Sequence, residues 1–125
     1  MRELKFRAWD NENKAILLPV GVGSSQECLN KRNEFIDRCT LMQYTGLHDK
    51  NGKEIYEGDI VKGLRQNYRY RKPTDIQELI FEVWFDEADC AFKLWYPKMQ
   101  WDSFMTMDRP YEVIGNVWEN PELLT

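Results

Sequence analysis

Two tight turns near the middle of the chain constrain its fold more than any other feature of the sequence. Asn51-Gly52 is the strongest short turn signal available, because both residues tolerate a positive φ. Glu57-Gly58-Asp59 predicts a second turn that contains glycine, and Ile60-Val61 then begin a buried strand. Such sharp reversals between short apolar runs predict antiparallel strands, of the kind that open a small β-barrel.

Alternating side chains predict further strands on both sides of these turns. Residues 3–9 alternate apolar with mostly charged side chains, which indicates a strand with one buried face. Residues 14–18 predict a returning strand, so the pair is expected to form a hairpin. Short strands separated by turn clusters indicate a meander or barrel, and four more are predicted over residues 79–85, 91–96, 103–107 and 111–118.

Helical signals occur at two places. Ser24 and Glu27 have the spacing of a capping box, which slightly favours a helix over residues 24–39. The same segment also fits two short strands around a turn at residues 30–33, and this alternative stays open. Near the end of the chain, Asn120-Pro121 predicts a short helical turn. The predicted fold class is therefore α+β and rich in β-structure.

Size and composition place the chain among soluble globular proteins. Its 125 residues fit one domain, or one compact domain with a small subdomain, and five Trp, six Tyr and six Phe make disorder improbable. The sequence contains no apolar run of membrane-spanning length, and its charged N-terminus does not match a signal peptide. We therefore expect a cytoplasmic protein. The net charge of −4 argues against a surface that binds nucleic acid throughout.

The residues that usually carry catalysis or bind metals are few and scattered. Cys28, Cys39 and Cys90 lack C-x-x-C spacing and are expected to be free thiols. His48 is the only histidine, and a local structural role is strongly favoured over catalysis. The acidic residues within 86–89 share one turn, unlike the extended ligand pattern of a calcium loop. We predict no catalytic site, no metal site and no cofactor.

One segment combines basic and aromatic side chains in a way that suits phosphates and stacked bases. Acidic residues then predominate from Asp75 to Asp89. If the chain turns back between these two segments, cross-strand ion pairs would neutralise the basic side chains, and this structural interpretation is favoured. The candidate nucleic-acid-binding residues are Lys62, Arg65, Tyr68, Arg69, Tyr70, Arg71 and Lys72.

A second candidate surface is aromatic. Phe92, Leu94 and Tyr96 are expected to share one strand face, which leaves Trp95 on the opposite face. Trp101 follows soon afterwards. Because burying all five tryptophans is difficult in a domain of this size, Trp95, Tyr96 and Trp101 are candidate residues of a protein interface.

Three separated stretches of the sequence resemble the YopX-like proteins of bacteriophages and prophages. They are residues 1–10 (MRELKFRAWD), residues 41–61 with both tight turns, and residues 111–124 (YEVIGNVWENPELL). The resemblance implies an N-terminal α+β part over residues 1–40 and a small SH3-like β-barrel over residues 41–125, which together could form one compact unit. It also implies the cytoplasm of a bacterial host, and it supplies no catalytic residues.

Two functions follow as expectations. The first is a non-enzymatic phage or prophage accessory protein that acts through protein–protein contacts, including self-association. The alternative is a nucleic-acid-binding module that uses the basic segment 62–72, although its five basic side chains predict only weak binding.

Overall fold

The structure, a computed structural model, describes residues 5–20, 39–66, 76–98, 100–105 and 110–125. These residues form nine strands and one 3-10 turn, η1. In chain order the elements are β1 (Phe6–Asp10), β2 (Ala15–Val20), β3 (Cys39–His48), β4 (Glu54–Tyr56), β5 (Asp59–Gln66), β6 (Ile76–Asp86), β7 (Ala91–Tyr96), β8 (Trp101–Phe104), β9 (Glu112–Asn116) and η1 (Pro121–Leu124).

The strands form two antiparallel sheets. The first sheet has the order β2-β1-β3-β4, and the second has the order β8-β7-β6-β5-β9. Strands β5 to β8 follow one another as a meander, and β9 returns to pair with the other side of β5. The second sheet curls into a half-barrel, which is compatible with the expected barrel. The predicted boundary after residue 40 falls within β3, and the division into two subdomains stays a prediction.

The predicted α+β class is wrong. In the described residues, η1 is the only helical element, and every other element is a strand. The physical reason is the period-two alternation of apolar residues, which extends through most of the described chain and matches the pleat of a strand. The segment predicted as helix or hairpin lies outside the described residues except for Cys39, which begins β3.

The predicted hairpin and both tight turns are confirmed. Strands β1 and β2 pair antiparallel, with Ala8 opposite Leu17. The turn between β3 and β4 contains Gly52, and the turn between β4 and β5 contains Gly58; each glycine has φ +85°. Side chains rarely tolerate this backbone conformation, so glycine at these positions lets the chain reverse without strain.

The main core lies on one face of the second sheet. Leu79, Phe81 and Val83 alternate along β6 and are buried together with Leu94 of β7. Ile55 of β4 joins the same cluster, so an end strand of the first sheet contributes to the core of the second. Burial of each such side chain stabilises the fold by roughly 1.5–3 kcal/mol.

Strand β1 differs from the expected strand with one buried face. Ala8 is fully buried, but Arg7 and Trp9, which point to the other side, are only 6% and 5% exposed. The second face is covered because it packs against the turn that opens β5 and against residues that follow β9. Alternation alone could not show that a face carrying a charge is buried.

Within the described part of the chain, no helix is long and apolar enough to cross a membrane.

The two turn glycines predict different costs for the same substitution. Gly52→Ala places a side chain at positive φ with open space around it, so the loss should be roughly 1–2 kcal/mol. Gly58→Ala has the same φ, but its Cβ would lie 2.9 Å from Met42 Sδ. Overpacking should therefore add about 1–3 kcal/mol to the loss. Urea unfolding of both variants measures the difference, and equal losses would contradict the predicted contact.

Candidate functional site

A buried ion pair joins the two sheets. Arg7 of β1 places Nη2 2.6 Å from Oδ1 of Asp59, the first residue of β5. The two side chains are 7% and 1% exposed, so both charges are almost fully removed from water. Burial of this kind is costly unless the pair is well oriented and further hydrogen bonds satisfy the remaining atoms.

Neighbouring groups of the β4–β5 turn orient the pair. The backbone N–H of Tyr56 donates to Asp59 Oδ2 at 2.8 Å, and the Arg7 guanidinium lies over the Tyr56 ring, 4.9 Å from its centroid. Arg7 Nη2 also lies 3.5 Å from the carbonyl oxygen of Glu57, whereas the buried Arg7 Nε has no hydrogen-bond partner in the described residues. Burial raises the pKa of Asp59, although Arg7 and the Tyr56 N–H oppose that rise.

Aromatic contacts extend from the ion pair in both directions. On one side, the Trp9 and Trp118 rings stack with centroids 5.9 Å apart, and Trp118 Nε1 donates to Met42 Sδ at 3.2 Å. On the other side, Tyr44 packs against Tyr56, with ring centroids 5.5 Å apart. Lys5 lies over the Tyr44 ring and forms an ion pair with Glu54. We call this group the seam: Lys5, Arg7, Trp9, Met42, Tyr44, Tyr56, Asp59 and Trp118.

The seam collects residues from all three stretches that carry the family resemblance. Arg7 and Trp9 come from residues 1–10, Asp59 comes from residues 41–61, and Trp118 comes from residues 111–124. No local pattern of the sequence predicts these contacts. The available signal is an aspartate directly after a turn glycine, just before the apolar pair Ile60-Val61.

Other polar residues of these stretches fix turns. Asp10 accepts hydrogen bonds from the backbone N–H groups of Glu12 and Asn13, in the β1–β2 turn. Asn116 Oδ1 accepts from the N–H groups of Trp118 and Glu119. These bonds explain why side chains of the turn-forming kind occur here, because a short side-chain acceptor can replace a missing backbone partner.

Asp49 connects the β3–β4 turn to the second sheet. Its Oδ1 accepts from the N–H groups of Asn51 and Lys53 at 2.8 and 2.9 Å, and its Oδ2 accepts from the N–H of Val113 in β9 at 3.0 Å. Burial raises the pKa of Asp49, but the three backbone donors outweigh burial and the pKa is lowered overall. The carboxylate therefore holds the turn and the end strand together in its charged form.

His48 has a local structural contact, as the sequence favoured. Its ring is exposed, and its Nδ1 lies 3.3 Å from the hydroxyl oxygen of Tyr44. The neighbouring Glu54 carboxylate already bonds Lys5 and the hydroxyl of Tyr56. These contacts of Tyr44 and Glu54 order the edge of the first sheet beside His48.

The structure locates only part of the candidate basic segment. Lys62 of β5 forms ion pairs with Glu78 at 3.1 Å and with Glu112 at 3.9 Å. Its hydrogen bond to Glu78 and the charges of both carboxylates raise its pKa. The backbone of Arg65 pairs with Gln77 in β6. Residues 68–72, and with them Tyr68, Arg69, Tyr70, Arg71 and Lys72, lie outside the described residues.

The candidate aromatic interface is divided between two faces. Tyr96 packs against the main core, with its ring centroid 5.8 Å from that of Phe81. Trp95 is half-buried on the opposite face, where its register partner is Glu82, so the predicted separation of the two is confirmed. The backbone of Trp101 lies in β8, the end strand of the second sheet. In the backbone register Trp101 pairs with Tyr96, whereas Trp95 pairs with Asp102, so the structure does not bring the three candidates to one face.

The acidic turn between β6 and β7 is closed by a lysine. Lys93 Nζ lies 2.8 Å from Asp86 Oδ2 and 2.6 Å from Asp89 Oδ2, so one ammonium group bridges the two carboxylates and offsets part of their charge. The described ranges contain no group of three or more His, Cys, Asp or Glu residues that could hold a metal ion.

A small surface pocket lies beside Lys62, with a volume of about 110 Å³. It is lined by charges that already pair with one another, because Lys50 and Lys62 both bond Glu112. Gly63 and Pro110 form part of its wall. Its size and its paired charges suit water or a single small group.

Breaking the Arg7–Asp59 pair should be strongly destabilising. Asp59→Leu leaves the Arg7 guanidinium buried without an opposite charge, and Arg7→Met leaves the Asp59 carboxylate buried in the same way, so each single change should cost about 3–5 kcal/mol. Replacing both residues, as Arg7→Met with Asp59→Leu, should cost much less than the sum of the two single changes, because no charge then remains buried. Denaturant unfolding of a double-mutant cycle measures this, with Glu78→Gln at the exposed Lys62 pair as the control. Additive losses would contradict the predicted coupling.

The lowered pKa of Asp49 predicts a defined pH dependence. A carboxyl whose folded pKa lies below its unfolded value, near 3.9, stabilises the protein above that pH and loses this contribution as the pH falls through the folded pKa. Asp59, whose pKa is raised, contributes in the opposite direction.

We therefore compare the protein with Asp49→Asn, because the difference between the two isolates the contribution of the Asp49 carboxylate to the pH dependence of stability. The variant should be less stable by about 1–3 kcal/mol at pH 7, since it weakens hydrogen bonds to a charged acceptor. That difference should begin to shrink below about pH 4, where the carboxyl of the unfolded chain becomes protonated, and it should be lost as the pH falls through the lower folded pKa. Thermal unfolding between pH 2 and pH 7 measures it, and a difference that does not change with pH would contradict the assigned role.

Comparison with known proteins supports the resemblance and extends it to nearly the whole chain. The family model described as YopX protein matches residues 5–125. The fold is similar to the crystal structure of protein EF1440 from Enterococcus faecalis, with 26% sequence identity, complete coverage of both chains and a TM-score of 0.62. No curated protein matches the chain. With all three motif stretches meeting at one seam and the family model covering residues 5–125, the chain belongs to the YopX family.

Proposed function

We propose that this protein is a bacteriophage or prophage accessory protein that acts without catalysis, through contacts with other proteins in the cytoplasm of the bacterial host. The partners proposed include a second copy of the same chain. The observation that carries the proposal is the position of Trp118 at the surface end of the seam, where 36% of the residue stays exposed. Tryptophan is enriched at protein interfaces and among the residues that contribute most to binding.

The environment of Trp118 supports a contact role. Its ring is held by the stack on Trp9 and by the hydrogen bond to Met42, so it is presented in a fixed orientation. A rigid aromatic side chain loses little conformational entropy when a partner covers it. Leu41 of β3 is a second large apolar residue with substantial exposure, at 38%.

The charged groups of the seam favour contact over chemistry. Arg7 and Asp59 neutralise each other, and Lys5 is paired with Glu54. Each of these groups would have to give up a structural partner before it could act on a substrate. General acid–base and nucleophilic catalysis instead need a group placed within reach of the reacting atoms.

The proposal predicts that partner binding depends on Trp118 beyond its effect on stability. Trp118→Ala and Trp9→Ala both remove the stack, but only the first removes the exposed aromatic surface, since Trp9 is buried. We therefore expect Trp118→Ala to lower self-association, measured by light scattering, and recovery of host proteins from infected cells. Trp9→Ala should lower thermal stability with a smaller effect on binding. Equal losses of binding in both variants would mean that Trp118 is only structural.

Binding to nucleic acid through residues 62–72 is the alternative that a parallel experiment tests. Lys62 is already paired with Glu78 and Glu112, and the net charge of −4 opposes long-range attraction of phosphates. We expect weak DNA and RNA binding at physiological salt, and we expect Arg69→Ala with Arg71→Ala to leave protein contacts intact. A tight complex that weakens steeply with salt and disappears in the double variant would assign the protein to nucleic-acid binding instead.

A further inference from the structure

Asn51-Gly52 is exposed at the surface, yet it belongs to the turn that Asp49 connects to the second sheet. Both residues are solvent-accessible. The N–H of Asn51 donates to Asp49 Oδ1, while the other carboxylate oxygen accepts from Val113 of β9. A chemical change at Asn51 would therefore occur directly beside the group that joins the β3–β4 turn to β9.

We propose that Asn51 is a site of spontaneous deamidation through a cyclic imide. In this reaction the backbone nitrogen of Gly52 loses its proton and attacks Cγ of Asn51. A new C–N bond closes a five-membered ring as the bond to the side-chain nitrogen breaks, and ammonia leaves. Water then adds to either carbonyl of the ring, which yields aspartate or isoaspartate at position 51.

Two features of the structure select this position. Gly52 has no side chain to obstruct the ring closure, and no heavy atom beyond its chain neighbours lies within 4 Å of the place where a Cβ would stand. Every other asparagine of the sequence is followed by a larger residue. Glycine also has the backbone freedom that closing the ring requires.

The turn also restrains the reaction. The N–H of Gly52 donates to the carbonyl oxygen of Asp49 at 3.0 Å, and this bond must open before the nitrogen can attack. The folded protein should therefore react more slowly than a peptide of the same sequence. Local opening of an exposed turn requires far less free energy than global unfolding, so the reaction continues in the folded state.

Either product would weaken, in two ways, the connection that Asp49 makes between the β3–β4 turn and β9. Isoaspartate lengthens the backbone by one methylene group between Asp49 and Lys53, and the present turn length is what aligns the N–H groups of Asn51 and Lys53 with Asp49 Oδ1. Either product also adds a negative charge beside the Asp49 carboxylate, which is itself held in its charged form by backbone donors. Two neighbouring carboxylates repel each other, and this repulsion destabilises the folded turn.

The experiment compares the full-length protein with Asn51→Gln during incubation at mildly alkaline pH. Glutamine keeps a neutral amide and leaves Gly52 unchanged, but its longer side chain would have to form a six-membered ring, which closes much more slowly. Peptide mass spectrometry detects the replacement of –NH₂ by –OH at residue 51, and enzymatic methylation of isoaspartate identifies the isomer. A synthetic peptide covering residues 47–57 serves as the unfolded reference.

We expect conversion at position 51 ahead of every other asparagine, a slower rate in the folded protein than in the peptide, and loss of the signal in Asn51→Gln. Aged protein should also unfold at a lower temperature than fresh protein, and Asn51→Asp should reproduce only the part of that change caused by charge. Full conversion of the peptide without any conversion of the folded protein would overturn the proposal. So would earlier conversion at another asparagine.

Discussion

The buried pair of Arg7 and Asp59 determines how the two sheets can be arranged. Two charges removed from water gain little net stability from their attraction, because desolvation offsets most of it. Their effect on misarranged states is larger, since a packing that buries Arg7 or Asp59 without the other would leave a charge buried alone. The Tyr56 N–H and the Tyr56 ring add to this selectivity, because both belong to the turn that carries Asp59.

The ion pair between Arg7 and Asp59 depends on the turn at Gly58. Positive φ at Gly58 reverses the chain between β4 and β5, so Tyr56 and Asp59 approach Arg7 together. The same glycine leaves room for Met42, whose sulfur receives the Trp118 indole N–H. One backbone requirement therefore couples the ion pair to the aromatic stack. Residues that are distant in the chain are thereby adjacent in the fold.

Most strands, the hairpin and the tight turns could be predicted from the sequence, because period-two alternation and turn chemistry are local properties. The ends of the last two strands could not, since β8 ends at Phe104 and β9 at Asn116, before the predicted residues 107 and 118. Phe92, Leu94 and Tyr96 were placed on one face of β7 for the same reason. The seam could not be predicted, because Arg7 appears in the sequence as an ordinary exposed charge at a polar position of β1. Its burial depends on Asp59 and Trp118, which are far away in the chain, and pairing at that distance leaves no local pattern.

The distribution of charge also determines which surfaces could meet a partner. Lys93 forms ion pairs with Asp86 and Asp89. Lys62 forms ion pairs with Glu78 and Glu112, so both cations already have nearby counter-charges. A partner that relied on them would have to displace intramolecular ion pairs, which offsets part of the electrostatic attraction. A partner that covers Trp118 displaces no ion pair. The indole N–H keeps its hydrogen bond to Met42, and the exposed surface of the residue can be covered without breaking a bond. Among these described groups, covering Trp118 is therefore less opposed than contact through Lys62 or Lys93.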